Sequence, residues 1–595
     1  MSKEIGSEYD VVIMGGGPAG STLGALLAKR TDLRVALFEK EKHPREHIGE
    51  SFAHQMMSVL QESGALEKVL ASDCWVQKFG GIFNWAETPL TAFFDGRHAA
   101  EDGVRRWAMH VNRSEFDEIL LRHAESLGVE VFEEVSVSAF EPDADGATVT
   151  LKGGREVRAS YFVDASGRRN SIAAKQKRDW LSGYRNIAIW QHYLGGKDAQ
   201  SLPGDWNIFR EDNLSPIGCF AFLNGWCWYI PVPKIIDGER KLTHSIGIVT
   251  IPEILKQDGL DFTDPAVFLR TVRQVPHLKD LIQDVEPVAD KMNTATNYSM
   301  INGQFADLDR RWLLVGDAAY FVDPLFSSGV AFATNQAANA AMLLETTLAG
   351  DLDRRSLGDL WRDYDEGWHG MAETFALSID QWYHALGKDH PDSIYWHHRG
   401  TGPDLDIQER TFDVLLNTAV TPNLMQVISG SVPKGAGPLA RAAERAEPAP
   451  VDEHAPLGLA AGVTARETVG LDAPGFKAFM PAPPFDAEVD DETRAAIARY
   501  WSDPIGNGDA VVSPVATPAP ALRFGFADQP DAAEVRGLGR EGAAELLDIL
   551  RSRSASLRQL ETKLTATQLQ LLKRLMRAGM VTADDNAADE HVTGA

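Results

Sequence analysis

The stretch that most restricts the possible folds is DVVIMGGGPAGS, Asp10 to Ser21. Asp10 to Met14 read as a buried strand, and a glycine turn follows at once. Gly15, Gly17 and Gly20 fill a G-x-G-x-x-G frame, and Leu23, Leu26 and Leu27 then recur at helical spacing. A strand, a tight turn and a helix start in that order aim unbonded backbone N–H groups, and the positive end of the helix dipole, at a pyrophosphate. Ala19 and Ser21 lie in the same turn and join the cofactor-binding set. A second strand, RVALFE, ends in Glu39, 19 residues after Gly20, where a carboxylate accepts ribose hydroxyls. A glycine turn before a helix can be structural only, but strand, spacing and acid together read as a dinucleotide site.

At 595 residues the chain is long enough for two or three domains. Lys and Arg number 58 against 85 Asp and Glu, a formal net charge of -27. Such a surface repels phosphate backbones and anionic lipid, which excludes nucleic acid and membrane surfaces as expected partners. Cys74, Cys219 and Cys227 form no CxxC pair, so a reducing cytoplasm is expected and no metal site. The N-terminal MSKEIGSEYD is polar and enters a strand directly, unlike a secretion signal. No window offers the ~18 apolar residues of a membrane helix. The expectation is a soluble, cytoplasmic protein.

Residues 8–350 alternate short β-branched runs, helical patterns and glycine turns, as α/β domains with a parallel sheet do, with a sheet on the substrate side near 180–300. Residues 351–432 read as helical and packed on this module, with Leu360, Trp361, Tyr364, Trp368 and Met371 three and four apart. The Ala/Pro-rich span 433–488 reads as linker or wrapping segment, 489–582 as a small C-terminal module with a helical end, and 583–595 as an acidic tail.

Two later strand-to-turn stretches, YFVDASG with Asp164 and WLLVGDAA with Asp317, resemble motifs of the large two-domain FAD family that includes aromatic hydroxylases, geranylgeranyl reductases and flavin-dependent halogenases. The resemblance implies an α/β fold of that kind. It comprises a Rossmann-like FAD-binding domain, a mixed-sheet substrate-side subdomain and, here, a mainly helical C-terminal region. It also implies that Asp317 takes the ribityl hydroxyls of FAD, that Asp164 belongs to the cofactor site, and that Arg113 in HVNRSEFDEILL contacts FAD just before a helix. Ser114 and Asp117 read as the capping box of that helix. An isolated arginine at that place would read as a solvated surface charge.

Further stretches resemble the halogenases within that family, in character the chloramphenicol and chondrochloren branch. These are PREHIGES with Gly49, Glu50 and Ser51, QKFGGIFNW with Lys78, DPLFSSG, and GWCWYIP in the form W-x-W-x-I-P. In the resembled reaction FADH2 and O2 oxidise chloride or bromide to hypohalous acid, which travels to a separate substrate pocket. Ser328 and Gly329, before a long helical pattern, would turn amides to the halide, although the same amides could contact only the flavin. Lys78 would relay the oxidant, because desolvation makes its neutral amine accessible. Gly49 and Ser51 fall with the cofactor contacts and Glu50 with catalysis. Trp226 and Trp228 share one face of a strand; that is ordinary core packing or a partition between flavin and substrate.

Halogenases of free tryptophan carry a glutamate where this chain has Phe326, so the resemblance points to a phenol or pyrrole, free or tethered to an acyl carrier protein; Glu50 is the substitute carboxylate. FAD is expected to be non-covalent, with Asp284 and Asp290 in the region where some relatives attach it. A separate flavin reductase is the implied partner, since no nicotinamide site is visible. An FAD monooxygenase, a geranylgeranyl-type reductase, or a flavin-binding protein without turnover would share the FAD motifs without needing Lys78 or halide.

Overall fold

The computed structural model describes residues 4–78, 80–85, 91–93, 107–168, 179–180, 185–209, 216–296, 299–397, 453–472, 517–526, 529–536, 539–564, 569, 572–573, 575–576 and 579–583. They form two compact units, each discontinuous in sequence. The first comprises Met1–Ala341, Thr374–Val420 and Pro474–Val515; the second comprises Met342–Glu373, Thr421–Ala473 and Ala516–Ala595.

In the first unit, Val11, Val12 and Ile13 have no exposed surface because Glu8–Met14 lies at the centre of a parallel sheet. Glu130–Phe132, Val35–Phe38, Glu8–Met14, Glu156–Asp164 and Trp312–Leu314 run parallel in that spatial order, with Ala306–Asp307 antiparallel at the edge. Strands buried on both faces read as the continuous apolar runs seen here. The helices Pro18–Arg30 and Arg113–Ser126 cover this sheet. An antiparallel ribbon of Val137–Pro142 and Ala147–Leu151 extends Glu156–Asp164.

A second, mixed sheet contains Ile187–Leu194, Glu239–Thr250, Gly225–Ile236 and Ile217–Phe222 in antiparallel order. It also recruits Gly81–Asn84, parallel to Ile217–Phe222, from far earlier in the chain than the expected 180–300. Trp75–Lys78 pairs separately with Ala108–Val111. The long helices are Gly329–Ala349 and Arg354–Asp389.

The second unit departs from the expected boundaries. Inside the span read as linker, Thr464–Asp472 is a nine-residue strand that pairs along its length with Thr517–Phe526, which in turn pairs with Gln529–Arg536. The expected linker and C-terminal module thus share one sheet, because strand pairing satisfies backbone groups whatever the Ala/Pro content of the surrounding sequence. Leu522, Phe524, Leu546, Leu550, Leu557, Leu572 and Met580 form its core. The helical region expected at 351–432 holds Arg354–Asp389, of which 354–373 belong to the second unit and 374–389 to the first. The rest of that span from 398, like the tail from 584, lies outside the described residues.

Asp359 organises the second unit's polar interior. Its 1% exposed side chain pairs with Arg362 and Arg466, accepts the Thr468 hydroxyl at 2.6 Å and lies 3.6 Å from Arg523, itself bound to Asp363. Removing the carboxylate would strand the 5% exposed Arg523 near an uncompensated cluster. We predict that Asp359→Ala lowers stability by about 3 kcal/mol, measured by denaturant unfolding.

Candidate active site

Gly15, Glu39, Asp164 and Asp317 sit at the carboxyl edge of the parallel sheet. The chain leaves Met14 through Gly15, whose φ of +113° and whose missing β-carbon, which would lie 2.4 Å from the Ala165 carbonyl oxygen, both demand glycine. A β-carbon on Gly20 would meet the Gly15 carbonyl oxygen at 2.0 Å, so this glycine lets the helix start tuck under the turn. Gly17 differs: a β-carbon there would meet no protein atom within 4 Å. The space beside Gly17, at the N-terminus of Pro18–Arg30, faces helix amides without earlier carbonyl partners, and this cradle fits a pyrophosphate. Ala19 is buried in that first turn, and Ser21 Oγ donates to the Gly16 carbonyl at 2.9 Å.

Glu39 brings its buried carboxylate to the same turn, accepting from Gly16 N at 2.7 Å and Glu41 N at 2.9 Å. Asp164 accepts from Ser166 N at 3.1 Å and Ser166 Oγ at 2.6 Å, which fixes the turn after its strand. Gly316 carries the other FAD motif into place. A β-carbon on it would lie 3.1 Å from the β-carbons of both Ala19 and Ala333, so the turn bearing Asp317 touches the first helix and Gly329–Ala349. Burial raises the Asp317 carboxyl above its usual range, against the pull of Arg168, 3.9 Å away, and of Arg113.

Arg113 is 4% exposed and braces the loop before Glu50. It donates to Asp117 through Nε at 2.8 Å and Nη2 at 2.9 Å, and through Nη1 to the carbonyls of Ile48 at 2.7 Å and Gly49 at 3.0 Å. The expected cap by Ser114 and Asp117 is not formed. Asn112 is the N-cap residue and its side chain bonds Glu115, because the guanidinium fork claims Asp117. Gly49, at φ +97°, sits against Arg113 Nη1.

The loop braced in this way lies beside Ala108–Val111, through Phe52 N to the Met109 carbonyl and Val111 N to the Glu50 carbonyl. Lys78, on the strand flanking the other side of Ala108–Val111, is 2% exposed. Its Nζ donates to Ser51 Oγ at 2.8 Å and to the Phe52 carbonyl at 2.7 Å. Burial pushes its pKa down to about 7, opposed by the nearby Cys219 thiol. Cys219 Sγ in turn lies 3.8 Å from the Leu325 carbonyl, which connects the lysine's surroundings to the loop before Gly329–Ala349.

Glu50, the expected substitute carboxylate, has His192 as its partner, Oε1 to Nε2 at 2.6 Å. Burial raises the Glu50 carboxyl, but His192 and Lys234 outweigh it and hold the group below its usual range. His192 carried no motif; only the folded sheet brings Ile187–Leu194 to the loop.

Ser328 and Gly329 open the helix Gly329–Ala349 and line a cleft with Asp317, Phe321, Phe332 and Phe375. Phe326 is 6% exposed among Phe83, Trp382 and Phe375, with ring centroids 5.3–6.3 Å away. Trp226 and Trp228 are 1% and 5% exposed, their ring centroids 6.3 Å apart. Trp226 Nε1 donates to Tyr383 Oη at 2.9 Å and Trp228 Nε1 to Ser245 Oγ at 3.2 Å. A β-carbon on Gly247 would meet the Trp228 ring at 2.1 Å, so this glycine makes room for the indole. Asp284, by contrast, is 78% exposed and pairs with Lys197. Among the described residues no group of three or more His, Cys, Asp or Glu could hold a metal, and no helix is long and apolar enough to cross a membrane.

Two predictions follow from this geometry. Lys78 binds its proton more weakly folded, at about 7, than unfolded, at its ordinary 10.5. Between those values the unfolded chain holds the extra proton, so wild-type stability rises with pH. Lys78→Met should therefore raise the melting temperature near pH 7, and the gain should shrink toward pH 10. Gly17→Val should leave the cofactor-free protein's melting temperature within about 2 °C of wild type yet weaken FAD binding at least about tenfold in a fluorescence titration, because its side chain would occupy the cradle.

Residues 8–195 match the family described as FAD binding domain. The chain is 33% identical over 374 residues to a 1H-pyrrole-2-carbonyl-[peptidyl-carrier protein] chlorinase of Pseudomonas fluorescens, covering 59% of this chain and 78% of that protein. It is 29% identical over 455 residues to a tryptophan 2-halogenase of Chondromyces crocatus, covering 74% and 80%. Among solved structures, the myxobacterial chondrochloren halogenase superposes with a TM-score of 0.55 at 28% identity, covering 71% of this chain and 91% of that one. The flavin-dependent halogenase CmlS shares the fold along 97% of this chain and 96% of its own, with a TM-score of 0.63 at 22% identity. With an FAD-binding domain at residues 8–195 and a halogenating relative 33% identical, 78% of which it covers, the chain belongs to the flavin-dependent halogenases.

Proposed function

We propose that the chain halogenates an electron-rich aromatic carbon of a phenol or pyrrole, free or held as a thioester on an acyl carrier protein, with Lys78 delivering the halogen. The observation that carries this reading is the buried Lys78 amine, held by Ser51 and Phe52 with its pKa drawn to about 7. When bound, FADH2 with O2 supplies the two-electron oxidant that converts chloride or bromide to hypohalous acid. Near neutral pH both protonation states of Lys78 are accessible: the amine can carry the halogen, and the ammonium can hydrogen-bond hypohalous acid and polarise it toward the ring carbon.

The other residues divide the work. Gly15, Gly17, Ala19, Gly20, Ser21, Glu39, Asp164 and Asp317 hold the cofactor. Gly49, Ser51 and Arg113 shape the loop between it and Lys78, and Glu50, tied to His192, fixes that loop. The amides at Ser328 and Gly329 take the halide at a helix N-terminus. Trp226 and Trp228 partition the flavin from the substrate, so that the ring is halogenated rather than hydroxylated. A separate flavin reductase delivers FADH2, since the only dinucleotide fingerprint legible in the sequence is taken by FAD.

Free tryptophan is a second reading, favoured by the likeness to a tryptophan 2-halogenase. Phe326, enclosed by aromatic rings where a carboxylate would be desolvated, favours the phenol or pyrrole. The test supplies the holoenzyme with a flavin reductase, NADH, O2 and bromide, and offers a phenol, a pyrrole-2-carbonyl carrier protein and tryptophan in parallel. We expect brominated phenol or pyrrole, recognised by its isotope pair, and a loss of roughly a hundredfold or more in Lys78→Ala while reduced FAD is still reoxidised. Hydroxylated product instead, or undiminished bromination in Lys78→Ala, would refute the assignment.

A further inference from the structure

We infer that Tyr383 is a positioning residue that sets the halide-binding helix start and the tryptophan partition together through a single hydroxyl group. The inference rests on the reading of Ser328 and Gly329 as the halide-binding amides.

Asp323 stands at the head of the loop that leads to those amides, and its side chain is 1% exposed. A carboxylate so far from water has to be met by donors from the protein. Leu325 N donates to Oδ1 at 3.0 Å, which curls the loop on itself, and Asn186 Nδ2 reaches Oδ2 at 3.2 Å. The Tyr383 hydroxyl lies 3.0 Å from both oxygens, so its one proton is shared across the carboxylate. The following residues leave little slack: Ser327 is held at φ +56°, its N–H bonded to the Pro324 carbonyl, and Ser328 starts the helix through its carbonyl and Phe332 N at 2.8 Å.

A hydroxyl both donates and accepts. Having given its proton to Asp323, Tyr383 Oη accepts the indole N–H of Trp226 at 2.9 Å. Trp226 thus has its ring plane fixed by the oxygen that fixes the halide loop. The ring of Tyr383 is itself clamped among Trp85, Tyr395 and Trp396, with centroids 5.6–6.4 Å away, so the hydroxyl cannot swing aside without disturbing a packed cluster. Phe375, from the same helix as Tyr383, forms a wall of the cleft at Ser328 and Gly329. Three separate stretches of chain are therefore joined at one atom. Phenylalanine at the first tryptophan of W-x-W-x-I-P would leave this oxygen without its donor, since only an indole supplies the N–H.

The test is a bromide titration of the oxidised holoenzyme, followed by the absorbance change of bound FAD, which requires no turnover. For Tyr383→Phe we expect the bromide dissociation constant to rise about tenfold, as for a lost hydrogen bond to a buried charge, while FAD affinity stays within twofold of wild type. Trp226→Phe should weaken bromide about two- to threefold and add nothing in the Tyr383→Phe background, because both act through the same oxygen. An unchanged bromide constant in Tyr383→Phe, a parallel loss of FAD affinity, or additive losses in the double variant would overturn the inference. If Tyr383→Phe does not fold, a wild-type bromide constant in Trp226→Phe overturns it as well. Should bromide bind and respond to these variants while no brominated product forms, the tie stands and the proposed reaction fails.

Discussion

Parallel strands deliver all their carboxyl ends to one edge of the sheet, and the glycine turn and the three carboxylates gathered around it depend on that constraint. Gly15, Glu39, Asp164 and Asp317 are scattered over about three hundred residues of chain, yet each is the last residue of a strand or lies a short step beyond it. The edge gathers them without any long-range signal between their motifs. Close approach then finishes the arrangement. Where Gly316 meets Ala19 and Ala333, three segments come within contact distance only because none of them carries a larger side chain.

The Lys78 region obeys a different rule. Burying an ammonium is costly, and here two oxygen acceptors from one braced loop offset only part of that cost. The remainder appears as the lowered proton affinity of the amine. The loop is held from both sides, by Arg113 through its carbonyls and by the Glu50–His192 pair through a side chain. Precision at the lysine is thus imposed by the loop, and the loop's precision by charges that are themselves shielded from water. Aromatic packing does the corresponding job around Phe326, which Phe83, Phe375 and Trp382 enclose ring to ring.

Local rules explain what could be read in advance and what could not. The glycine turn, the strands ending in Glu39, Asp164 and Asp317, and the lysine before two glycines are contiguous patterns, and their structure is set by neighbours a few residues away. Capping at Arg113 was misread because the guanidinium of one residue and the carboxylate four residues on prefer each other to the helix end. The strand Thr464–Asp472 was hidden because its partner, Thr517–Phe526, lies beyond an intervening stretch of some forty residues that carries no trace of the pairing.

By itself the sequence determined the nucleotide-binding architecture, because glycine spacing and strand periodicity encode those backbone conformations locally, while the cofactor class and the family were legible only through the resemblance of short contiguous motifs to those of flavin-dependent halogenases. The tertiary structure alone decided that Glu50 answers to His192 rather than to Lys78, that Ser51 and Phe52 hold the lysine, and that a tyrosine on a helix read only for packing joins Asp323 to Trp226. Those partners are brought together by sheet order and helix docking, and a buried polar atom takes whichever partner the fold places within 3 Å of it, however distant in the chain.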